Sequence, residues 1–165
     1  MNWEGIAAIG EFVSAGAVVA SLIYVGVQIR QSVRISRAEA QRASSDQYTK
    51  LSLRRSDSPE LRSLWTRAMT GARLGDLTAD EKIIMGIELQ ALFNNISMDF
   101  NNNEMGLAHN AHWLAISNMV KMFVAHPLIR DWWATIPNGV GFHLSFFNWI
   151  DTLVLDNEPM LEKDS

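Results

Sequence analysis

The feature that most constrains the fold is an uncharged apolar run of eighteen residues, 12–29, which stops at Arg30. As an α-helix rising about 1.5 Å per residue, the run is about 27 Å long. That length is close to the roughly 30 Å hydrocarbon core of a bilayer. All fourteen Lys and Arg residues of the chain lie at or beyond Arg30. A long apolar helix with all positive charge on one side predicts a directed transmembrane anchor.

Two other interpretations of this run stay open at the level of sequence. A secretory signal peptide has a positive segment before a shorter apolar core, whereas the residues before this run are acidic and carry no basic side chain. A buried core helix of a soluble domain is the second alternative, because glycines and serines such as Gly16, Gly26, Ser14 and Ser21 dilute the hydrophobicity.

A basic collar follows the run and predicts its orientation. Residues 30–55 carry a net charge of +5, whereas residues 56–165 carry −7. Cations next to a membrane span face the cytoplasm, so the N-terminus is expected outside and the remainder of the chain inside. Basic side chains at this position also contact anionic lipid headgroups. The expected membrane-surface residues are Arg30, Arg34, Arg37 and Arg42.

Composition disfavours two classes of function. The basic collar has a single interleaved aromatic residue, Tyr48, and the chain behind it is acidic, so nucleic acid is not an expected partner. The chain contains no cysteine, which excludes disulfides, a thiolate nucleophile and a cysteine-ligated zinc. This composition suits a cytoplasmic body.

One face of the apolar helix is small or polar along its whole length. Small residues in register let two helix backbones approach closely in lipid. Helical spacing of 3 and 4 places on this face Gly10, Ser14, Ala17, Ser21, Tyr24 and Gln28. We refer to these six residues as the seam and predict that they pack against another helix, either in a homo-oligomer or in a larger membrane complex.

The sequence pattern predicts an all-α chain: a transmembrane helix that continues into a juxtamembrane helix, followed by a small helical bundle. The predicted segments are an anchor over 1–29, a basic juxtamembrane helix over 30–56, a cytoplasmic helical domain over 57–156 and a polar tail over 157–165. Ser58 and Pro59 predict one helix start, and Thr78 with Glu81 forms a capping box at another. No period-two run of β-branched residues suggests a strand.

The N-terminal block resembles a family of bacterial single-pass membrane proteins. In that family a Trp, an IGE-like tripeptide and a small-residue helix lead into a Q-I-R-Q motif. The matching residues here are Trp3, Ile9, Gly10, Glu11, Gln28, Ile29, Arg30 and Gln31. The resemblance implies a single-pass topology in the bacterial inner membrane, with the helical domain in the cytoplasm, and it implies no chemistry.

Residues that could bind a ligand or a metal are few. His109 and His112 are spaced so that both could bind one metal, but no metalloprotein motif accompanies them, and solvated histidines are the preferred interpretation. An aromatic set near the C-terminus could contact a partner, a ligand or the membrane surface, although core packing of one ring of Trp132–Trp133 is the simpler interpretation. This set consists of Trp132, Trp133, Phe142, Phe146 and Trp149.

These observations favour a non-enzymatic, membrane-anchored accessory or self-assembling protein with no metal, cofactor or catalytic residue. Membrane lipid and other protein helices are its expected partners. Three alternatives stay open. They are a membrane-tethered ligand-binding or sensory module that uses the aromatic set, a soluble helical protein, and an enzyme with a histidine-bound metal.

Overall fold

The computed structural model describes residues 3–137 and 140–156, and within them the chain is all-α, as predicted. A 55-residue helix, α1 (Trp3–Asp57), precedes a bundle of shorter helices. These are α2 (Pro59–Met69), α3 (Ala79–Glu104), α4 (Asn110–Val124), α5 (Pro127–Trp133) and α6 (Leu144–Asp156), with a 3₁₀ turn at Leu74–Asp76. The predicted polar tail, 157–165, lies outside the described residues.

Helix α1 belongs to two compact units. The chain divides into Met1–Glu39 and Ala40–Ser165, so the end of the predicted juxtamembrane helix lies in the same compact unit as the bundle. Residues 40–57 of α1 are part of the bundle because Ser44 and Leu51 are buried in it and Tyr48 is half-buried. The sequence does not indicate a boundary at residue 40, because residues 30–55 contain neither Gly nor Pro to interrupt the helix.

Local sequence determines where the bundle helices begin. The Ser58 hydroxyl accepts a hydrogen bond from the Leu61 amide at 3.2 Å, and Pro59 occupies the first turn of α2. Thr78 Oγ1 accepts from the Glu81 amide at 3.3 Å, while the Glu81 carboxylate accepts from the Thr78 amide at 2.8 Å. Both bonds satisfy amides that a helix start leaves without a partner. The predicted caps are therefore confirmed.

The core forms around α3. Apolar residues spaced by 3 and 4 form a stripe along this helix, and the stripe is buried throughout, with Met85, Leu89, Leu92, Ile96 and Phe100 each at most 8% exposed. Helices α2, α4, α5 and α6 pack around this stripe. They contribute the buried side chains Leu64, Ala68, Ile116, Val120, Val124, Leu128, Ile129 and Ile150. The spacing of 3 and 4 along α3 therefore predicts the face on which the bundle assembles.

Candidate functional site

The apolar segment of α1 exposes its large side chains. Seven of them are between 48% and 67% exposed: Val18, Val19, Leu22, Ile23, Val25, Val27 and Ile29. An eighteen-residue window here has a mean hydropathy of 1.2, and none of that window is buried. In the described part of the chain, one helix is long and apolar enough to cross a bilayer. A core helix of a soluble domain buries such side chains, so this exposure favours a membrane or protein environment.

The seam and the basic collar lie on exposed parts of the same helix. Ser14, Ala17, Ser21, Tyr24 and Gln28 are exposed, and Gly10 lies in the stretch of α1 where only the backbone is described. The four collar arginines, Arg30, Arg34, Arg37 and Arg42, are exposed as well.

The middle of the seam is a shallow groove. Ala17 and Ser21 line it together with the larger side chains of Val18, Leu22 and Val25. Small side chains beside larger ones create a depression of the kind that the ridge of another helix can fill.

The C-terminal aromatic set lies in the core, which corrects the expectation that it forms a contact surface. Trp132, Trp133, Phe142 and Phe146 are at most 8% exposed, and Trp149 is half-buried. Their positions at helical spacing made them candidates for a surface, but the same spacing turns them toward α3.

Ring packing fills the region between α5 and α6. The ring centroid of Trp133 lies 5.4 Å from that of Phe142 and 5.0 Å from that of Phe147. Phe93 on α3 closes the other side at 5.1 Å. The indole of Trp133 also donates a 2.7 Å hydrogen bond to Asp151 Oδ1, which satisfies its buried N–H group. These ring contacts and the buried hydrogen bond are those of a packed core.

A buried carboxylate, Asp99, joins three helices. Asp99 is 2% exposed, and its Oδ2 accepts hydrogen bonds from Ser44 Oγ and from the Tyr48 hydroxyl, each at 3.0 Å. His112 on α4 places Nε2 3.4 Å from Oδ1 of the same carboxylate. Burial, the negative charge of Asp99 and the hydrogen bond to it raise the pKa of Tyr48 far above its usual value. We call these four residues the Asp99 cluster.

The Asp99 cluster does not have the geometry of a catalytic triad. A triad uses the two ring nitrogens of histidine separately, one toward the nucleophile and one toward the acid. Here Nε2 of His112 faces both Ser44 Oγ, at 3.5 Å, and Asp99 Oδ1. Ser44 moreover donates its proton directly to the carboxylate. The four side chains link α1, α3 and α4 through one carboxylate.

Two grooves flank the Asp99 cluster on either side of residues 40–47. The larger has a volume of about 160 Å³ and runs between α1 and α3. Most of its lining is small or amide-bearing: Ala40, Ala43, Ser44, Gln47, Asn95, Met98, Asp99 and Asn102. The smaller is a shallow depression of about 10 Å³ bordered by His109 and His112. Both grooves lie beside the buried carboxylate of Asp99.

The two histidines have separate structural roles. His109 Nδ1 accepts a hydrogen bond from the Ala111 amide at 3.3 Å and caps α4, whereas His112 faces Asp99. Within the described ranges, no group of three or more His, Cys, Asp or Glu side chains is placed to hold a metal.

A second buried carboxylate, Glu88, faces the end of α1. Glu88 is fully buried, with Oε1 3.2 Å from Arg54 Nε and Oε2 3.6 Å from Arg55 Nε. The guanidinium of Arg55 also lies over the ring of Trp65, 3.8 Å from its centroid. Burial lowers the pKa of Arg55, and the charge of Glu88 opposes that shift. We call these four residues the Glu88 cluster.

Sequence reasoning missed both polar clusters as sites. No role was predicted from the sequence for Asp99 or Glu88. The sequence of α3 nevertheless indicates both sites. Glu88 is adjacent to Leu89, and Asp99 is adjacent to Phe100, and both apolar residues belong to the buried stripe. A carboxylate beside the core face of a helix requires a buried partner. Which partner approaches it depends on the packing of α1.

Comparison with known proteins adds no family or fold relative. No protein-family model, no curated protein and no solved structure matches this chain. The resemblance of the N-terminal block to a family of bacterial single-pass proteins therefore stays a prediction.

Proposed function

We propose that this chain is a single-pass membrane protein whose helical domain serves as a non-enzymatic accessory or self-assembling unit. One observation carries the proposal. The apolar segment of α1 exposes the large side chains from Val18 to Ile29 and continues without a break into a helix that packs in the bundle. Exposing such a segment to water is unfavourable, at about 25 cal/mol per Å² of apolar surface. A bilayer removes that cost.

Charge supports one orientation. The exposed arginines Arg30, Arg34, Arg37 and Arg42 immediately follow the apolar residues, which favours an N-terminus outside and a bundle on the cytoplasmic side. In a bacterium this corresponds to the inner membrane, in agreement with the resemblance of the N-terminal block. The same side chains are placed to meet anionic headgroups.

Association with another helix rests on the groove at Ala17 and Ser21. In lipid, packing of small residues replaces the hydrophobic effect as the main source of helix–helix affinity. A second copy of α1 and a helix of a larger complex are both suitable partners.

A ligand-binding or sensory module is the second candidate, and a different observation favours it. The groove of about 160 Å³ beside Asp99 offers amide groups and a buried carboxylate to a small polar ligand. Screening the purified chain by thermal shift against small polar metabolites tests this candidate. A ligand that raises the melting temperature of the wild type, but not that of Asn95→Leu, would support it. If Asn95→Leu responds equally, the groove is not the binding site.

Location and topology are tested in cells with the full chain. Alkaline carbonate extraction should leave the protein in the membrane pellet. The chain has no cysteine of its own, so Ser56→Cys supplies a single thiol in the exposed end of α1. An impermeant maleimide should label it only after the membrane is opened. Release into the carbonate supernatant, or labelling in intact cells, contradicts the proposed anchor or its direction.

Association is tested with two neighbouring substitutions of α1. Ala17→Leu fills the seam groove, whereas Val19→Leu is an apolar enlargement at an exposed position that does not line the groove. Mass measurement in mild detergent should show an assembly for the wild type and Val19→Leu, and its loss in Ala17→Leu. A wild-type chain that is strictly monomeric and brings no partner with it contradicts the proposal.

A further inference from the structure

Residues 40–57 of α1, here called the strap, pack on the bundle with little apolar contact. Among their side chains only Ser44 and Leu51 are buried, at 7% and 9% exposure. The stripe of α3, in contrast, buries Met85, Leu89 and Ile96 completely. Apolar burial is the main source of packing stability. Apolar burial therefore contributes less to the packing of the strap than to the packing of the rest of the bundle.

The Asp99 cluster holds the N-terminal half of the strap. Ser44 and Tyr48 donate to one oxygen of Asp99, and His112 faces the other oxygen from α4. Water offers equivalent hydrogen bonds to all of these groups once they are exposed. The free energy lost on separation is thus much smaller than the strength of the bonds themselves.

The Glu88 cluster holds the C-terminal end of the strap. The carboxylate faces Arg54 Nε and Arg55 Nε at 3.2 and 3.6 Å, and Arg55 covers the ring of Trp65. Both carboxylate oxygens, Arg55 Nε and Nη2, and Trp65 Nε1 are buried without a hydrogen bond to a protein atom. Among the described residues every such buried side-chain atom belongs to this cluster. A buried charge that lacks full hydrogen bonding is costly to keep out of water.

We propose that the strap is a releasable latch: residues 40–57 detach from α3 and α4 as a unit while α2–α6 stay packed. Release breaks the contacts of two polar clusters and exposes one buried leucine of the strap, so it leaves the core around α3 and α5 intact. It uncovers the carboxylates of Asp99 and Glu88 and one face of the Trp65 ring. Because the strap and the apolar segment are parts of one helix, the latch connects the proposed anchor to the bundle. The latch itself does not depend on the membrane proposal.

Native-state hydrogen exchange on the full chain in mild detergent measures this opening by segment. Amides of residues 40–57 should exchange at least about tenfold faster than those of α3 and α5, as a sub-global opening does. Tyr48→Phe removes one donor to Asp99 and leaves the ring in place. It should accelerate exchange in the strap by a further tenfold or more, the equivalent of a lost hydrogen bond to a charged group.

A matched control breaks a polar contact away from the strap. Asp151→Ala removes the acceptor of the Trp133 indole between α5 and α6, and it should accelerate exchange in α6 without a selective effect on residues 40–57. Two results would overturn the latch. One is a wild-type strap that exchanges as slowly as α3, and the other is a Tyr48→Phe variant whose strap exchanges no faster than that of the wild type.

Thiol labelling gives an independent measurement. Ser44→Cys places a thiol at a buried position of the strap, and Ser45→Cys places one at the exposed neighbouring position. The buried thiol should react slowly, at a rate set by opening of the strap, and the exposed one rapidly. Adding Tyr48→Phe should speed labelling at position 44 about tenfold and leave position 45 unchanged. Equal acceleration at both positions, or none at 44, contradicts the latch.

Discussion

The Tyr48 hydroxyl donates a 3.0 Å hydrogen bond to Oδ2 of the buried Asp99 carboxylate, linking α1 to α3 across 51 residues of sequence. The bond gives a carboxylate that is 2% exposed one of its two hydroxyl donors. Hydrogen bonds to charged groups are stronger than neutral ones. The pair is therefore a strong polar contact between the long helix and the bundle.

Tyr48→Phe is expected to destabilise the bundle by about 1.5–3 kcal/mol, because it leaves a buried charge with one donor fewer. Urea unfolding followed by circular dichroism measures the change. Tyr24→Phe is the matched control, since Tyr24 is 63% exposed in the apolar segment of α1. Equal effects of the two substitutions would show that the contact with Asp99 contributes no stability.

Alkaline pH should weaken the fold through the same phenol. The pKa of Tyr48 is raised in the folded state, so the folded protein holds this proton more tightly than the unfolded chain does. The contribution is complete below the unfolded tyrosine pKa of about 10 and is lost as pH rises above it. Unfolding measured at pH 8 and pH 11 should show a steeper loss for the wild type than for Tyr48→Phe. Parallel losses would contradict this assignment.

The two arginines that face Glu88 are expected to contribute unequally to the stability of the fold. Arg55→Met removes the less exposed partner together with its stacking on Trp65, and should cost about 3 kcal/mol because Glu88 is fully buried. Arg54 has a side chain that is 54% exposed, and Arg54→Met should cost less than about 1 kcal/mol. Thermal unfolding of the two variants tests the order. The reverse order would mean that Arg54 is the main partner of the carboxylate.

The aromatic set is expected to behave as core. Phe146 is 0% exposed, so Phe146→Ala should destabilise the fold by about 3–5 kcal/mol through lost burial and the cavity that remains. Leu144→Ala, at a position that is 60% exposed on the same helix, is the control and should have little effect. Denaturant unfolding separates them. A tolerated Phe146→Ala would argue that this region is a surface.

Acid should weaken the start of α3. The hydrogen bond from the Thr78 amide, assisted by Arg67, lowers the pKa of Glu81. A lowered pKa contributes stability above the unfolded value of about 4.3, and this contribution is lost as pH falls through the folded pKa. Glu81→Gln should therefore be less stable than the wild type at pH 6 and closer to it at pH 2. Glu104→Gln, an exposed change at the other end of α3, should show no such convergence.

Local patterns predicted the helices of this chain well. The caps at Ser58 and Thr78 and the buried stripe of α3 depend on neighbours three or four residues away, so a single sequence contains them. The spacing of aromatic residues near the C-terminus does not state which face a partner covers. For this reason Trp133 and Phe146 were candidates for a contact surface as well as for the core, and the structure buries both.

Both polar clusters, in contrast, depend on contacts distant in sequence. Ser44 meets Asp99 across 55 residues, and His112 joins them from a third helix. The boundary of the bundle at residue 40 has the same origin, since residues 30–56 read as one uniform polar helix until their contacts are known. No spacing rule within α1 distinguishes the part that packs on the bundle from the part that does not.

By itself, the sequence determined the all-α class, the helix starts, the exposed apolar run and the charge asymmetry around it. Each of these follows from short-range periodicity and composition. Tertiary structure alone decided that the end of α1 packs on α3, that Asp99 and Glu88 are buried against it, and that the aromatic set fills the core. The physical reason is that burial and pairing of a side chain depend on which distant helix covers it, and a one-dimensional pattern contains no such distances.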